Sequence, residues 1–246
     1  MFNPKYYLAV LKKRLSVIVP AFNESGNIKG AVSKIHSIVP KYCNDYEIII
    51  INDGSRDKTG KIADSIAVKD KKIKVLHNTE NMGMGYSYFR GVKEAKFEYL
   101  IIVFGDDDHP SQSIENILSK MGQADIIIPY YTNLHLSKAW LRHVISITYT
   151  HIVNYITDLK VGYYNGITLH KTELVRGIPI KSTGFGFQAE TIAHLLKNGA
   201  SYIEVDVLND DRKTGGTAAF RAKNIISVAR SFLRMYLHYK LKRGKQ

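Results

Sequence analysis

Short, strongly apolar runs that end abruptly in polar clusters constrain this chain more than any other feature. Leu-Ser-Val-Ile-Val at 15–19 leads to Pro20, and Ile48 to Ile51 breaks at Asn52-Asp53-Gly54-Ser55. Tyr99 to Phe104 ends in Gly105-Asp106-Asp107-Asp108, while Ile73–Leu76 and Ile126–Ile128 read as two further strands. Between them apolar residues recur at helical spacing (Ile28, Val32, Ile35 and Val39, then Ile62 and Ile66), and 86–96 reads as a third helix. Strands this apolar, alternating with helices, predict a mostly parallel sheet covered on both faces. Ligands bind such sheets beyond the carboxyl ends of the strands. The polar clusters at 20–24, 52–57 and 105–109 all follow strands directly.

With 246 residues and no internal repeat or low-complexity linker, one α/β domain is expected over 1–220, with an extension over 221–246. The net charge of +13 sits at the ends: residues 1–14 carry four Lys/Arg and 212–246 carry ten, with no acid in either stretch. Basic ends suit an anionic membrane surface, nucleic acid or solvated tails. No nucleic-acid-binding motif accompanies them, so nucleic acid is not an expected partner. Cys43 is the single cysteine, which excludes an internal disulfide framework and suits a reducing cytosol. No apolar run reaches the roughly 20 residues of a spanning helix, and no secretory signal is read at the N-terminus.

Three adjacent carboxylates repel one another, so folding alone gives little reason to collect Asp106, Asp107 and Asp108. A divalent cation on a diphosphate explains them, since Mg²⁺ takes one or two carboxylates plus substrate phosphates. In an extended segment Asp106 and Asp108 would point to one side and Asp107 to the other. Asn52 to Asp57 reads either as a turn and helix cap or as a nucleoside contact. Asn81-Met82-Gly83-Met84-Gly85 lacks the dinucleotide-binding spacing, but its glycines would let backbone pass close to a ligand. Histidines 135, 143 and 151 fall eight apart and read as core or surface residues rather than a metal site. A nucleotidyltransferase would also use a metal-bound acidic pair, but the first strand–helix turn lacks its glycine-rich basic signature.

Val17-Ile18-Val19-Pro20-Ala21-Phe22-Asn23-Glu24 resembles the opening motif of family-two inverting glycosyltransferases. Ile51 to Thr59 resembles their DDGSxDxT motif, and Asn81-Met82-Gly83 their NxG. Asp106–Asp108 followed by His109-Pro110 resembles the acidic-HP motif of the branch containing dolichyl-phosphate mannosyltransferase and bacterial polyprenyl-phosphate glycosyltransferases. Phe187-Gln188-Ala189-Glu190 and Arg212 to Thr217 resemble two later motifs of that branch. The resemblance spans about 15–220. It implies a GT-A (Rossmann-like) fold, mostly parallel and flanked by helices, and a nucleotide-diphosphate sugar donor.

The resemblance also implies roles. Pro20, Phe22, Glu24 and Asp53 would line the nucleoside pocket, with Asn52 and Asp107 completing the donor-binding set. Asp106 and Asp108 would hold Mg²⁺ or Mn²⁺. Gln188 and Glu190 would face the sugar or acceptor, and Arg142 and Arg212 would offer forks to phosphate oxygens. Asn52 stands where the family has the first Asp of DDGS, Ala218 where it has Lys, and Gly162-Tyr163-Tyr164 lacks the family's Arg. Anchoring on His109-Pro110 would instead make Asp106 the second acidic position and Phe104 the first, so both registers stay open.

Two acceptors are expected alternatives. A hydroxyl on a growing glycan needs a general base, for which Glu190 and Asp158 are candidates. A polyprenyl phosphate is already ionised and needs none. Residues 223–240 form a basic stripe (Lys223, Arg230, Arg234) on a broadly apolar helix. Such a helix lies in a membrane interface or docks on the domain or a second subunit. The lipid alternative makes the protein peripheral on the cytoplasmic face of the membrane. Trp140 to Ile156 lines a lipid groove or is an ordinary core helix.

Overall fold

In a computed structural model, residues 13–133, 140–179, 182–208 and 222–241 are described. The elements are β1 (Arg14–Ala21), α1 (Ile28–Ile38), β2 (Asp45–Asn52), α2 (Thr59–Ala67), β3 (Ile73–His77), α3 (Met84–Glu94) and β4 (Tyr99–Ile102). There follow α4 (Ser111–Ser119), β5 (Ile126–Tyr131), α5 (Trp140–Thr157), β6 (Leu169–Lys171), α6 (Thr172–Arg176), α7 (Phe187–Lys197), β7 (Tyr202–Val207) and α8 (Ala222–Tyr236). A wider helical turn over Leu237–Leu241 continues α8.

The described strands form one seven-stranded sheet in the order β3-β2-β1-β4-β6-β5-β7. Neighbours pair in parallel except at β6, which runs antiparallel to both β4 and β5. Alternation along β1 and β2 divides the core. Val17, Val19, Ile48 and Ile50 pack under α1 and α4, whereas Ile18, Ile49 and Ile51 pack with Tyr88 and Phe89 of α3 on the opposite face. All seven aliphatic side chains are fully buried, each worth about 1.5–3 kcal/mol relative to exposure. Continuous apolar strands are therefore the direct consequence of a sheet covered twice.

The sequence reading missed β6 and β7. β6 has three residues, too few to show periodicity, and its antiparallel direction reflects its arrival from the loop that follows α5. The fourth apolar run is strand only to Ile102; Val103 still donates to Ile18 O, and Gly105 to Pro20 O, before the chain turns.

The C-terminal helix docks on the domain. Ser231 and Met235 are buried, and the Phe232 ring lies 5.1 Å from the Tyr149 ring of α5. Its other side leaves Ile225, Ile226 and Leu233 at least half exposed. Of the two readings of this helix, docking therefore describes one face, and the second face stays open to solvent. No described helix is long and apolar enough to cross a membrane.

Candidate active site

The loops after β1 and β2 are clamped to each other. Asn23 adopts a left-handed backbone (φ 59°), and its N–H donates to Ser55 Oγ at 3.0 Å. Glu24 N–H donates to Thr59 Oγ1 at 2.7 Å, Ser25 N–H to Asp57 Oδ2 at 3.1 Å, and Arg56 N–H to Asn23 Oδ1 at 2.9 Å. Partial desolvation pushes the Asp57 carboxyl up, but the hydrogen bonds from Thr59 and Ser25 together outweigh it and bring the pKa down to about 2. Pro20 is buried at the strand end, and half-buried Phe22 and Glu24 ride on this braced loop. The side chain of Glu24 accepts from Asn27 Nδ2 at 2.8 Å, and its carbonyl accepts from Ile28 N–H at the start of α1.

Asp53 is tied to the loop that follows β3. It is 4% exposed, and both carboxylate oxygens are taken: Oδ1 accepts from Asn78 Nδ2 (2.6 Å) and Met82 N–H (2.9 Å), Oδ2 from Gly83 N–H (3.0 Å). The carboxylate thus shapes the 78–83 loop. Gly54, at φ 68°, passes so close to Glu80 that a Cβ would overlap its backbone. Asn52 is also committed: its Oδ1 accepts from Ser55 N–H, and its Nδ2 lies 3.0 Å from His77 Nδ1. His77 Nε2 in turn lies 3.0 Å from Asp64 Oδ1.

The acidic run divides. Asp107 takes φ 59°, which turns it toward α1, where Lys34 Nζ lies 2.7 Å from its Oδ1. Lys34 also donates to the carbonyls of Asp107 and His109 at 3.2 and 2.6 Å. The Asp107 carboxylate thereby anchors the loop to α1. Asp106 and Asp108 stay half-buried and close together, with Asp108 N–H donating to Asp106 Oδ1 at 3.4 Å. Two hard oxygen donors on a half-exposed turn fit a divalent cation whose other ligands are phosphate and water. No group of three or more such side chains gathers among the described residues.

A chain of contacts crosses the sheet edge. His109 Nε2 lies 2.9 Å from Tyr131 Oη at the end of β5, and Gly166, at φ 115°, packs so tightly on the Tyr131 ring that no Cβ would fit. Gly166 N–H donates to Gln188 Oε1 at 3.1 Å, while Gln188 Nε2 donates back to Gly166 O at 2.7 Å. The 6%-exposed amide of Gln188 is thus bonded through both its oxygen and its nitrogen to the Gly166 backbone. Just before α7, Thr183 O accepts from Gly85 N–H at 2.8 Å. The first turn of α7 is therefore bracketed by the β4 and β5 ends on one side and the Asp53-held loop on the other.

Glu190 lies in that first turn. Its Oε1 accepts from Ser231 Oγ at 2.5 Å and Arg234 NH2 at 2.7 Å, both from α8. Asp158 behaves otherwise. At φ 52° it ends α5, with Leu159 N–H returning to Asn154 O, and its Oδ1 pairs with Lys240 Nζ at 2.6 Å. Asp158 thus terminates α5 and ties it to the C-terminal segment. Arg142 falls in the first turn of α5 with its side chain outside the described set, and Arg212 lies outside the described residues. Lys34, Tyr131 and Gly166 were not singled out from sequence; each acts through a partner at least 22 positions away.

Residues 16–170 match the family model "Glycosyl transferase family 2". The chain is 28% identical over 218 residues to "Polyprenol monophosphomannose synthase" of Mycolicibacterium smegmatis, covering 82% of this chain and 80% of that protein. It is 26% identical to "Dolichol-phosphate mannosyltransferase" of Saccharomyces cerevisiae, covering 73% of this chain and 70% of the relative. Glucosyl-3-phosphoglycerate synthase of Mycobacterium tuberculosis, solved with Mn²⁺, UDP and phosphoglyceric acid, superposes with a TM-score of 0.66 at 14% identity over 92% of this chain and 78% of that one. That likeness carries the α/β GT-A fold. With more than half of its length matched by the family model, the chain belongs to glycosyl transferase family 2 and is a glycosyltransferase.

Proposed function

We propose that this glycosyltransferase moves a sugar from a nucleoside-diphosphate donor to a polyprenyl phosphate at the membrane surface, with inversion. Relatives named for polyprenol, undecaprenyl and dolichol phosphate support the acceptor class. One observation on the molecule carries it furthest. α5 and α8 pack through Tyr149 and Phe232, and each leaves apolar side chains exposed: Ile145, Ile147 and Tyr155 on α5, and Ile225, Ile226 and Leu233 on α8. Exposed apolar side chains on two packed helices, with exposed Arg230 on one of them, suit the headgroup boundary of an anionic leaflet. Residues 221–246 then form the membrane-facing extension of a peripheral enzyme.

In the transfer, a lipid phosphate oxygen attacks the anomeric carbon. A C–O bond forms there as the bond to the donor diphosphate breaks, and the nucleoside diphosphate leaves with the electron pair. No proton moves, because the attacking phosphate is already ionised. Asp106 and Asp108 would hold Mg²⁺ or Mn²⁺, which when bound neutralises charge growing on the leaving diphosphate. The braced 22–24 loop and the Asp53-held 78–83 loop orient the nucleotide. Arg142 and Arg212 are proposed to reach phosphate oxygens.

Replacing Ile225, Ile226, Leu233 and Leu237 together by Ser tests the membrane reading. All four are exposed, so the melting temperature should stay within about 2 °C. Sedimentation with anionic liposomes should fall by about tenfold or more, along with turnover on bilayer-embedded polyprenyl phosphate. Turnover on a short water-soluble analogue should not change. Unchanged sedimentation with equal loss on both substrates would move the acceptor to a soluble glycan hydroxyl.

A further inference from the structure

The C-terminal helix reaches into the site, and this reach does not depend on a membrane. Glu190 is in the first turn of α7, yet both hydrogen bonds to its carboxylate come from α8, and both fall on Oε1. The ion pair is sheltered: the side chains of Glu190 and Arg234 are 19% and 34% exposed. Arg234 Nε is buried and meets no acceptor among the described residues, so the guanidinium holds Glu190 through one arm only. The fully buried hydroxyl of Tyr149, from α5, has no hydrogen-bond partner there either, and burial, with the Glu190 charge second, pushes its pKa up.

The backbone preceding Glu190 is pressed between two surfaces. Cβ atoms at Gly184 and Gly186 would overlap Ser227 and Ser231 of α8. On the other side, Cβ atoms at Gly83 and Gly85 would overlap the carbonyls of Thr183 and Ser182. Asp53 fixes Gly83 from below. The position of Glu190 is therefore set jointly by the donor-side loop and by the seating of α8.

We infer that Arg234 is a positioning residue for the transfer: with Ser231 it holds the Glu190 carboxylate at the sugar or acceptor, so that α8 must be seated for turnover. This inference rests on the glycosyltransfer reading above and adds to it a requirement within the chain. A carboxylate held by one charge-assisted contact shifts when that contact is lost, and misplacement on the scale of an ångström costs up to about 100-fold in rate.

The test compares Arg234→Met, Arg234→Lys, Glu190→Gln and the Arg234→Met/Glu190→Gln double variant in the full chain. Each is assayed with a short water-soluble polyprenyl-phosphate analogue and a short glycan acceptor, alongside calorimetry with UDP or GDP and amide hydrogen exchange at residues 184–190. Arg234→Met should lower kcat about 10- to 100-fold with nucleotide affinity within about twofold. Arg234→Lys should restore most of that loss, and the double variant should be no worse than the poorer single one. Exchange at 184–190 should quicken severalfold in Arg234→Met. Losses that multiply in the double variant would place Arg234 on the substrate directly and overturn the inference. So would a kcat within twofold of the wild type, or unchanged exchange at 184–190. Wild-type protein that transfers to neither acceptor would sink the proposed function instead, and the exchange result would still decide whether Arg234 holds this segment.

Discussion

Asp106→Ala and Asp108→Ala should each lower sugar transfer by about a thousandfold while leaving the fold standing. Both carboxylates are half-exposed on a turn beyond β4, so removing one takes little from the core. On the proposed reading, each substitution would remove a ligand to a cation on the donor diphosphate, worth several kcal/mol in the transition state. Asp107→Asn is the informative contrast. It keeps a residue tolerant of the left-handed backbone but breaks the Lys34 contact. Its cost should be about 0.5–1.5 kcal/mol of stability, with transfer lowered no more than about tenfold. Steady-state kinetics with and without EDTA, beside thermal melts, distinguishes the three. Equal damage from all three substitutions would mean that the run acts as a single acidic patch.

Asp53→Ala should be the most destabilising of the site substitutions. Removing the carboxylate strands the amides of Met82 and Gly83 and leaves Asn78 Nδ2 with Ser87 Oγ alone. Water can reach the exposed part of that loop, so the loss is about 2–4 kcal/mol rather than the sum of three buried penalties. For a chain of this length that is a fall of about 5–15 °C in melting temperature. Nucleotide affinity should drop as well, because the 78–83 loop loses its shape, without Asp53 touching the base. Calorimetry at a temperature where the variant is folded separates the two effects. An unchanged melting temperature with lost affinity would return Asp53 to direct contact with the nucleoside.

The sheet was legible because burial on both faces leaves a continuous apolar signature, as at Ile48 to Ile51. The loops at 22–24, 52–57 and 105–109 were legible because each polar cluster interrupts such a run. The alternation expected of an extended Asp106–Asp108 segment does not describe this turn, because Asp107 takes a left-handed backbone and pairs with Lys34. The intramolecular partners of Asp53, Gln188 and Asp158 were not legible. Each depends on a partner distant in sequence: Met82 and Gly83, Gly166, and Lys240. A carboxylate or amide in a family motif reads the same whether it meets ligand or backbone, and only the fold distinguishes the two. β6 was illegible for a simpler reason, since three residues cannot display a period.

Lipid-extractable product formation tests the central claim most directly. The protein is incubated with Mg²⁺, vesicles containing polyprenyl phosphate, and each of a panel of labelled UDP- and GDP-sugars. The account predicts that one donor yields an organic-soluble, mild-acid-labile sugar phosphate of inverted anomeric configuration, and that EDTA abolishes it. Label confined to water-soluble glycan, or a lipid product of retained configuration, would contradict it.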